Sequence, residues 1–198
     1  LSSGQLYLVS APSGAGKTSM VRELIKKDEN IKLSISHTTR APRASERHAK
    51  DYFFVTKPEF EELLRQNSFL EHANVYGNYY GTSKDAVFAM LATGSDVILE
   101  IDWQGAQQII HKLPDTIHIS IAPPSIEALR SRLSARGLDD SATIEHRMSQ
   151  AEDEIDHLKE AEYVVINDDF AQAVAAMHAI FIAERQKYIR QKPLLDKL

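Results

Sequence analysis

Apolar positions follow two alternating rhythms along this chain. Short unbroken runs, such as Leu6-Tyr7-Leu8-Val9 and Val97-Ile98-Leu99, are bounded by polar or turn-forming residues, and similar runs lie at 117–121 and 163–166. Runs of this length predict strands buried on both faces. Between them apolar residues recur three and four apart, as in Met20, Val21, Leu24 and Ile25. That spacing is the stripe of a helix lying on a core. It predicts helices over 19–27, 57–66, 83–93, 105–112, 125–136 and 141–160, and a single terminal helix over 169–190. Pro58 suits a first helical turn, Ser83 and Ser125 suit caps, and Gly137 suits a stop. Strands alternating with helices imply an α/β protein with a parallel sheet flanked by helices.

The stretch 37–82 breaks the rhythm. Residues 37–51 are polar and basic and read as loop, 52–55 and 69–75 read as short strands, and 77–81 reads as a glycine-flanked turn carrying Tyr79 and Tyr80. This stretch is expected to be an inserted lobe. The arginine-bearing helices over 126–160 are expected to form a second, smaller one, leaving 1–36, 83–125 and 161–198 as the core.

Composition narrows the classes. A chain of 198 residues with 43% apolar and 26% charged residues suits one globular domain. Its net charge of −5 argues against a general nucleic-acid binder, so an anion site here has to be local. With no cysteine, disulfides and thiolate chemistry are excluded. No apolar run reaches membrane-spanning length. The expectation is a cytoplasmic protein with neither membrane nor nucleic acid as partner. The histidines show no paired metal spacing, and none is assigned a catalytic role.

One stretch carries a specific chemistry. Ala11-Pro12-Ser13-Gly14-Ala15-Gly16-Lys17-Thr18 lies between the first predicted strand and the first predicted helix. In that context G-x-x-x-x-G-K-[ST] is a phosphate cradle. Loop amides and the helix N-terminus face the phosphates, the lysine reaches the β and γ groups, and the threonine hydroxyl suits Mg²⁺. Ala11 stands where the motif has its first glycine, which is tolerable at an ordinary negative φ. Glu100 and Asp102 end a core strand, where a phosphate-loop enzyme needs a carboxylate for Mg²⁺ or its waters; which of the two faces metal stays open. Arg40 and Arg43 flank Pro42 on a polar loop, and their planar forks match a monophosphate. Tyr52, Tyr80 and Thr82 offer hydroxyls, and Glu71 offers a carboxylate that could accept two parallel N–H bonds, a pair that guanine presents and adenine does not. Arg132 and Arg136 share one helical face, and Arg147 lies on the next predicted helix. Asn167 follows the last strand and could cap a helix or touch a nucleotide base.

Together these residues resemble the guanylate kinase family. The matching blocks are 10–18, 36–43, 50–54, 77–82, 98–105, 121–125, 132–137 and 165–169, in the family's order over nearly the whole chain. The resemblance implies ATP + GMP ⇌ ADP + GDP with Mg²⁺, with dGMP as a second acceptor. It implies that Ser36, Glu71 and Thr82 read guanine. Arg40, Arg43, Tyr52 and Tyr80 would hold the GMP phosphate, with Glu46 positioning the arginines. Ala11 to Thr18 and Asn167 would bind ATP, Lys17 included. Arg132, Arg136 and Arg147 would close over the transferring group, and Glu100 or Asp102 would serve substrate or metal waters. The 37–82 lobe would hold GMP and 126–160 would be a lid. Two other readings are a kinase for another small acceptor and a non-catalytic module binding phosphopeptides through the arginine loop. The terminal helix, with Phe181, Ile182 and Tyr188, is expected to pack on its own core or in a homo-oligomer.

Overall fold

The computed structural model describes residues 4–75, 77–135 and 141–197. In chain order the elements are β1 (Leu6–Ser10), α1 (Lys17–Lys27), β2 (Ile31–Leu33), β3 (His37–Thr38), β4 (Phe53–Phe54), α2 (Lys57–Arg65), β5 (Phe69–Val75), β6 (Asn78–Ser83) and α3 (Lys84–Ala92). They continue with β7 (Asp96–Glu100), α4 (Trp103–Lys112), β8 (Ile117–Ala122), α5 (Ile126–Ala135), α6 (Ser141–Asp156), a 3₁₀ turn at Leu158–Glu160, β9 (Tyr163–Ile166), α7 (Phe170–Arg185) and α8 (Tyr188–Leu195).

The main sheet is five-stranded and parallel, in the order β2-β7-β1-β8-β9. β1 is its middle strand and is buried throughout, because both of its faces are covered. Tyr7 and Val9 point into a cluster with Met20, Leu24, Met177 and Phe181 of α1 and α7. Leu6 and Leu8 point the other way, into a cluster with Val87, Ala106 and Ile109 of α3 and α4. This is the two-residue alternation of a strand, made invisible in sequence by apolar partners on either side.

A second, four-stranded sheet, in the order β4-β3-β6-β5, is built from the 37–83 stretch. Here the predicted tyrosine turn is corrected. Residues 78–83 form β6, paired antiparallel with all of β5 from Val75↔Asn78 to Phe69↔Ser83. Gly81 pairs with His72 and His37 in this sheet, and a Cβ there would lie 3.0 Å from the rings of Phe60 and Phe69, so a side chain would force those rings to shift. The loop expected over 37–51 also contributes the two residues of β3. Residues 31–36 read from sequence as one short strand; β2 stops at Leu33.

Local signals set the helix starts. Thr56 and Glu59 form a reciprocal capping box on α2. Ser83 caps α3, Asp102 caps α4, Ser125 accepts from the Ala128 amide, and Asp169 caps α7. The expected stop at Gly137 lies outside the described residues.

The predicted terminal helix is two helices, broken between Arg185 and Tyr188, with Lys187 in an extended conformation. The break lets α8 turn back so that Arg190 joins Arg185 on one buried carboxylate. Asp96, 1% exposed, accepts from Arg185 Nε at 2.6 Å, Arg190 Nη2 at 2.8 Å and the Gln5 amide at 3.0 Å. Arg185 also reaches Asp28, so the network ties α1, β7, α7 and α8 together. Phe181 stacks on Tyr7 in the core, while Ile182 and Tyr188 face outward.

Asp96→Ala is expected to destabilise the fold by about 3–5 kcal/mol, since it strands the partly buried Arg190 guanidinium and leaves Arg185 with Asp28 alone. A urea midpoint equal to that of the parent protein would show that the network contributes little.

Candidate active site

β1 delivers the phosphate loop to the carboxyl edge of the sheet, at the point where the chain's neighbours switch from β7 on one side to β8 on the other. Ligands bind at such switch points in open α/β sheets. Gly14 and Gly16 have φ of 93° and 100°, a left-handed conformation natural only to glycine. A Cβ on Gly16 would also lie 2.5 Å from Asn167 Nδ2. Ala11 is not among the described residues with positive φ, and its methyl packs against the main core. That is why alanine fits the first position of the motif.

The loop is tied to the carboxyl ends of two other strands of the sheet, β7 and β9. Asn167, just past β9, donates from Nδ2 to the Ala15 carbonyl at 2.7 Å. Lys17 Nζ donates to the Ile101 carbonyl at 2.8 Å, past the end of β7. Thr18 Oγ1 donates to Glu100 Oε2 at 2.7 Å. Asp102 has a different partner: its Oδ1 accepts from the Gly105 amide at 2.8 Å and caps α4.

The arginine loop is held by one carboxylate. Glu46 Oε1 accepts from Arg40 Nη2 at 2.8 Å, and Glu46 Oε2 accepts from the Arg43 amide at 2.8 Å. The Arg40 bond holds the Glu46 carboxyl below its ordinary range, and Glu46 in turn raises Arg40. The Arg40 guanidinium lies 5.6 Å from the centre of the Tyr52 ring, which sits edge-on to Tyr80 at 5.9 Å. Burial pushes the Tyr52 hydroxyl up, keeping it a neutral donor. Arg40, Arg43, Tyr52 and Tyr80 thus gather around one corner of the second sheet.

Glu71 stands on β5 against Thr82 on β6, its register partner. Its carboxylate is buried and accepts from Thr82 Oγ1 at 2.6 Å, with Ser36 Oγ 3.4 Å beyond that hydroxyl. Burial pushes its pKa up to about 7, with the Asp102 charge adding to the rise and the Thr82 bond opposing it.

From the other side, Arg132 on α5 donates to the Asn167 carbonyl at 2.8 Å, and Arg147 on α6 donates to Ser13 Oγ at 2.8 Å. Arg136 lies outside the described residues. Two features were not singled out from sequence: the Ile101 carbonyl that receives Lys17, and Glu154, whose Oε2 accepts from the Ser13 amide at 2.9 Å. A backbone carbonyl leaves no signal in a sequence. Glu154 did leave one, since it stands seven residues from Arg147 and so on the same helical face.

A phosphate cradle facing a second site lined by arginines, tyrosines and a buried carboxylate defines a P-loop kinase of the nucleoside monophosphate kinase class. Comparison with known proteins narrows this. The guanylate kinase family model matches residues 3–184. A guanylate kinase of Alkalilimnicola ehrlichii is 52% identical over 192 residues, covering 97% of this chain and 95% of that protein. The guanylate kinase of Escherichia coli strain K12 is 49% identical over 200 residues, covering 100% of this chain and 97% of its own. A crystal structure of guanylate kinase from Anaplasma phagocytophilum superposes with a TM-score of 0.80 at 34% identity, covering 96% of this chain and 90% of that one. The chain belongs to the guanylate kinase family, whose members transfer the γ-phosphoryl group of ATP to GMP.

Glu71 binds its proton more tightly folded than unfolded. Between its ordinary pKa of 4.5 and about 7 the native state therefore holds more protons, and stability falls as pH rises through that window. Glu71→Gln removes this dependence. It is expected to be more stable than the parent at pH 8, by on the order of 3 kcal/mol, with the gap closing towards pH 5. Denaturation midpoints that run parallel across this range would refute the buried-carboxylate account.

Proposed function

We propose a division of labour for ATP + GMP ⇌ ADP + GDP in which the phosphate loop is the donor half of the site and the second sheet is the acceptor half. The observation that carries it is Glu71: a buried carboxylate on the second sheet, bonded to Thr82 with Ser36 beside it, in the same sheet as Tyr80, whose neighbour Tyr52 lies under the Arg40 guanidinium. Once ionised, Glu71 accepts the two parallel N–H groups of guanine's Watson–Crick edge, with Ser36 and Thr82 completing the recognition. Adenine lacks that pair of donors. A site built for such donors rejects a base without them by roughly 10⁴-fold or more. Arg40, Arg43, Tyr52 and Tyr80 hold the acceptor phosphate, with Glu46 fixing both arginines. dGMP is accepted as well, since no group assigned here reads the sugar.

Residues Ala11 to Thr18 cradle the ATP phosphates, with Asn167 supporting the loop from behind. Lys17 neutralises the β and γ groups. Arg132, Arg136 and Arg147 belong to a lid over 126–160 that brings positive charge to the transferring group, while 37–82 is the GMP lobe and the remainder the core. Closure excludes the water that would otherwise hydrolyse ATP.

The residues also fit Mg²⁺. Thr18 and Glu100 set two hard oxygen ligands 2.7 Å apart at the loop's end. Among the described residues no group of three metal-ligating side chains comes together. Mg²⁺ commonly uses one or two carboxylates plus substrate phosphates rather than a protein cage. Bound there with ATP, Mg²⁺ supplies charge neutralisation, and Asp102 would reach it through water. No covalent enzyme intermediate is needed, because the acceptor is already an anionic phosphate and catalysis is positioning and charge neutralisation.

A coupled ADP-release assay with ATP, Mg²⁺ and each nucleoside monophosphate is expected to respond to GMP and dGMP alone. Turnover of AMP at a comparable rate would sink the guanine assignment, and phosphopeptide binding without turnover would make the chain a binding module. In the same assay the KM for GMP is expected to fall about tenfold from pH 6 to pH 8 as Glu71 ionises. Glu71→Gln should lose GMP turnover, keep ATP binding, and lose the Glu71 contribution to this pH dependence.

A further inference from the structure

The phosphate loop is gripped from outside by a carboxylate that the reaction chemistry above leaves unused. Ser13 and Gly14 form the corners of a turn closed by the Ala15 amide on the Pro12 carbonyl at 2.9 Å. The Gly14 φ of 93° suits the third position of a type II turn. The amides available to phosphate lie downstream, where α1 begins and its first N–H groups have no partner within the helix. The Ser13 amide lies upstream of these, at the corner of the turn, and donates to Glu154 Oε2 at 2.9 Å. The Ser13 hydroxyl accepts from Arg147 Nη2 at 2.8 Å. Two turns of one helix therefore take both polar groups of a single loop residue, one with a cation and one with an anion.

A carboxylate is an unfavourable group to place here. Burial pushes the Glu154 pKa up and the Asp102 charge adds to this, while the Ser13 amide and Lys17 act against it. It also stands beside a site meant for polyanions. Such a charge is worth its repulsion only if it holds something in place, and what it holds is the loop. The base of α6 is itself fixed. His157 stacks flat on Trp103 of α4, with ring centres 3.6 Å apart and planes 8° from parallel. His157 Nδ1 bonds Glu160 Oε1 at 2.7 Å, and Gln107 of α4 donates to Glu160 Oε2 at 2.6 Å. A cavity of about 10 Å³ behind Glu154, walled by Ser10, Trp103, Ser120 and His157, is near the least that holds one water. The chain of contact runs from α4, through the stacked rings and one helical turn, to the Ser13 amide.

We infer that Glu154 is a positioning residue for phosphoryl transfer, anchoring the Ser13 amide so that the loop amides downstream and Arg147 stand ready for the triphosphate. The inference rests on the phosphoryl-transfer reading above. Its effect is preorganisation of the loop: the loop amides are in place before the lid closes and need not rearrange during reaction.

The test uses Glu154→Ala, which removes the anchor, and Glu154→Gln, whose amide oxygen accepts the same bond without the charge. In the ligand-free protein, hydrogen exchange at the Ser13 amide should speed up at least about tenfold in the alanine variant and stay near the parent rate in the glutamine variant. In turnover with ATP and GMP, kcat should fall about tenfold to a hundredfold for alanine, with KM for GMP within about twofold, and glutamine should restore most of it. Four results would each overturn the inference: unchanged Ser13 exchange, a kcat for the alanine variant equal to the parent's, tighter ATP binding without the carboxylate, or a glutamine variant no better than alanine. A parent protein inactive with GMP would instead count against the reaction assignment, and the Ser13 exchange would still judge the anchor.

Discussion

The proposed phosphate site depends on how firmly β1 is held. The strand is buried on both faces, paired on both edges, and ends at Ser10, immediately before the loop. Its loop cannot wander, because the chain entering it is fixed by packing and the helix leaving it is packed on the same core. Three side-chain bonds then pin the loop sideways: Asn167 to Ala15, Lys17 to Ile101 and Thr18 to Glu100. Each partner lies at the carboxyl end of another strand of the same parallel sheet, in β7 or just past β7 or β9. The parallel sheet supplies the phosphate site with its geometry as well as its support.

The proposed acceptor half is built on a different principle. Two of the four strands in its sheet have only two residues, and aromatic packing and one shared carboxylate support it. Phe60 stacks on Phe69 and Tyr79, and His37 stacks on Phe53. Glu46 makes two arginine-loop positions move as one. A link runs back to the core from Asp51, which bonds Arg22 of α1. That pair is largely solvent-exposed on the arginine side and so weak.

Much of the main sheet was legible from sequence, because buried parallel strands leave unbroken apolar runs and their helices leave stripes. What was not legible has physical causes. β6 hid behind Gly77 and Gly81, since its strand character comes from pairing with β5 and β3, and the rings beside 81 leave little room for a side chain. The break between α7 and α8 carries no glycine, and Pro193 lies well beyond it; the break exists because two arginines converge on Asp96 from far along the chain. The residues lining the two candidate substrate sites stood out in sequence as motifs. Their supports did not: the Ile101 carbonyl leaves no trace in a sequence, and the spacing of Glu154 from Arg147 becomes meaningful only once Ser13 is seen between them.

The proton on Glu71 has one more consequence. An ionised carboxylate can only accept hydrogen bonds, whereas a neutral one offers a donor and an acceptor side by side. The first arrangement complements guanine. The second complements the edge of adenine, which presents an acceptor next to a donor. On the proposed reading of Glu71, burial that pushes its carboxyl up to about 7 makes the choice between purines depend on the ionisation of one buried group, and acidity would narrow the gap between the right base and the wrong one.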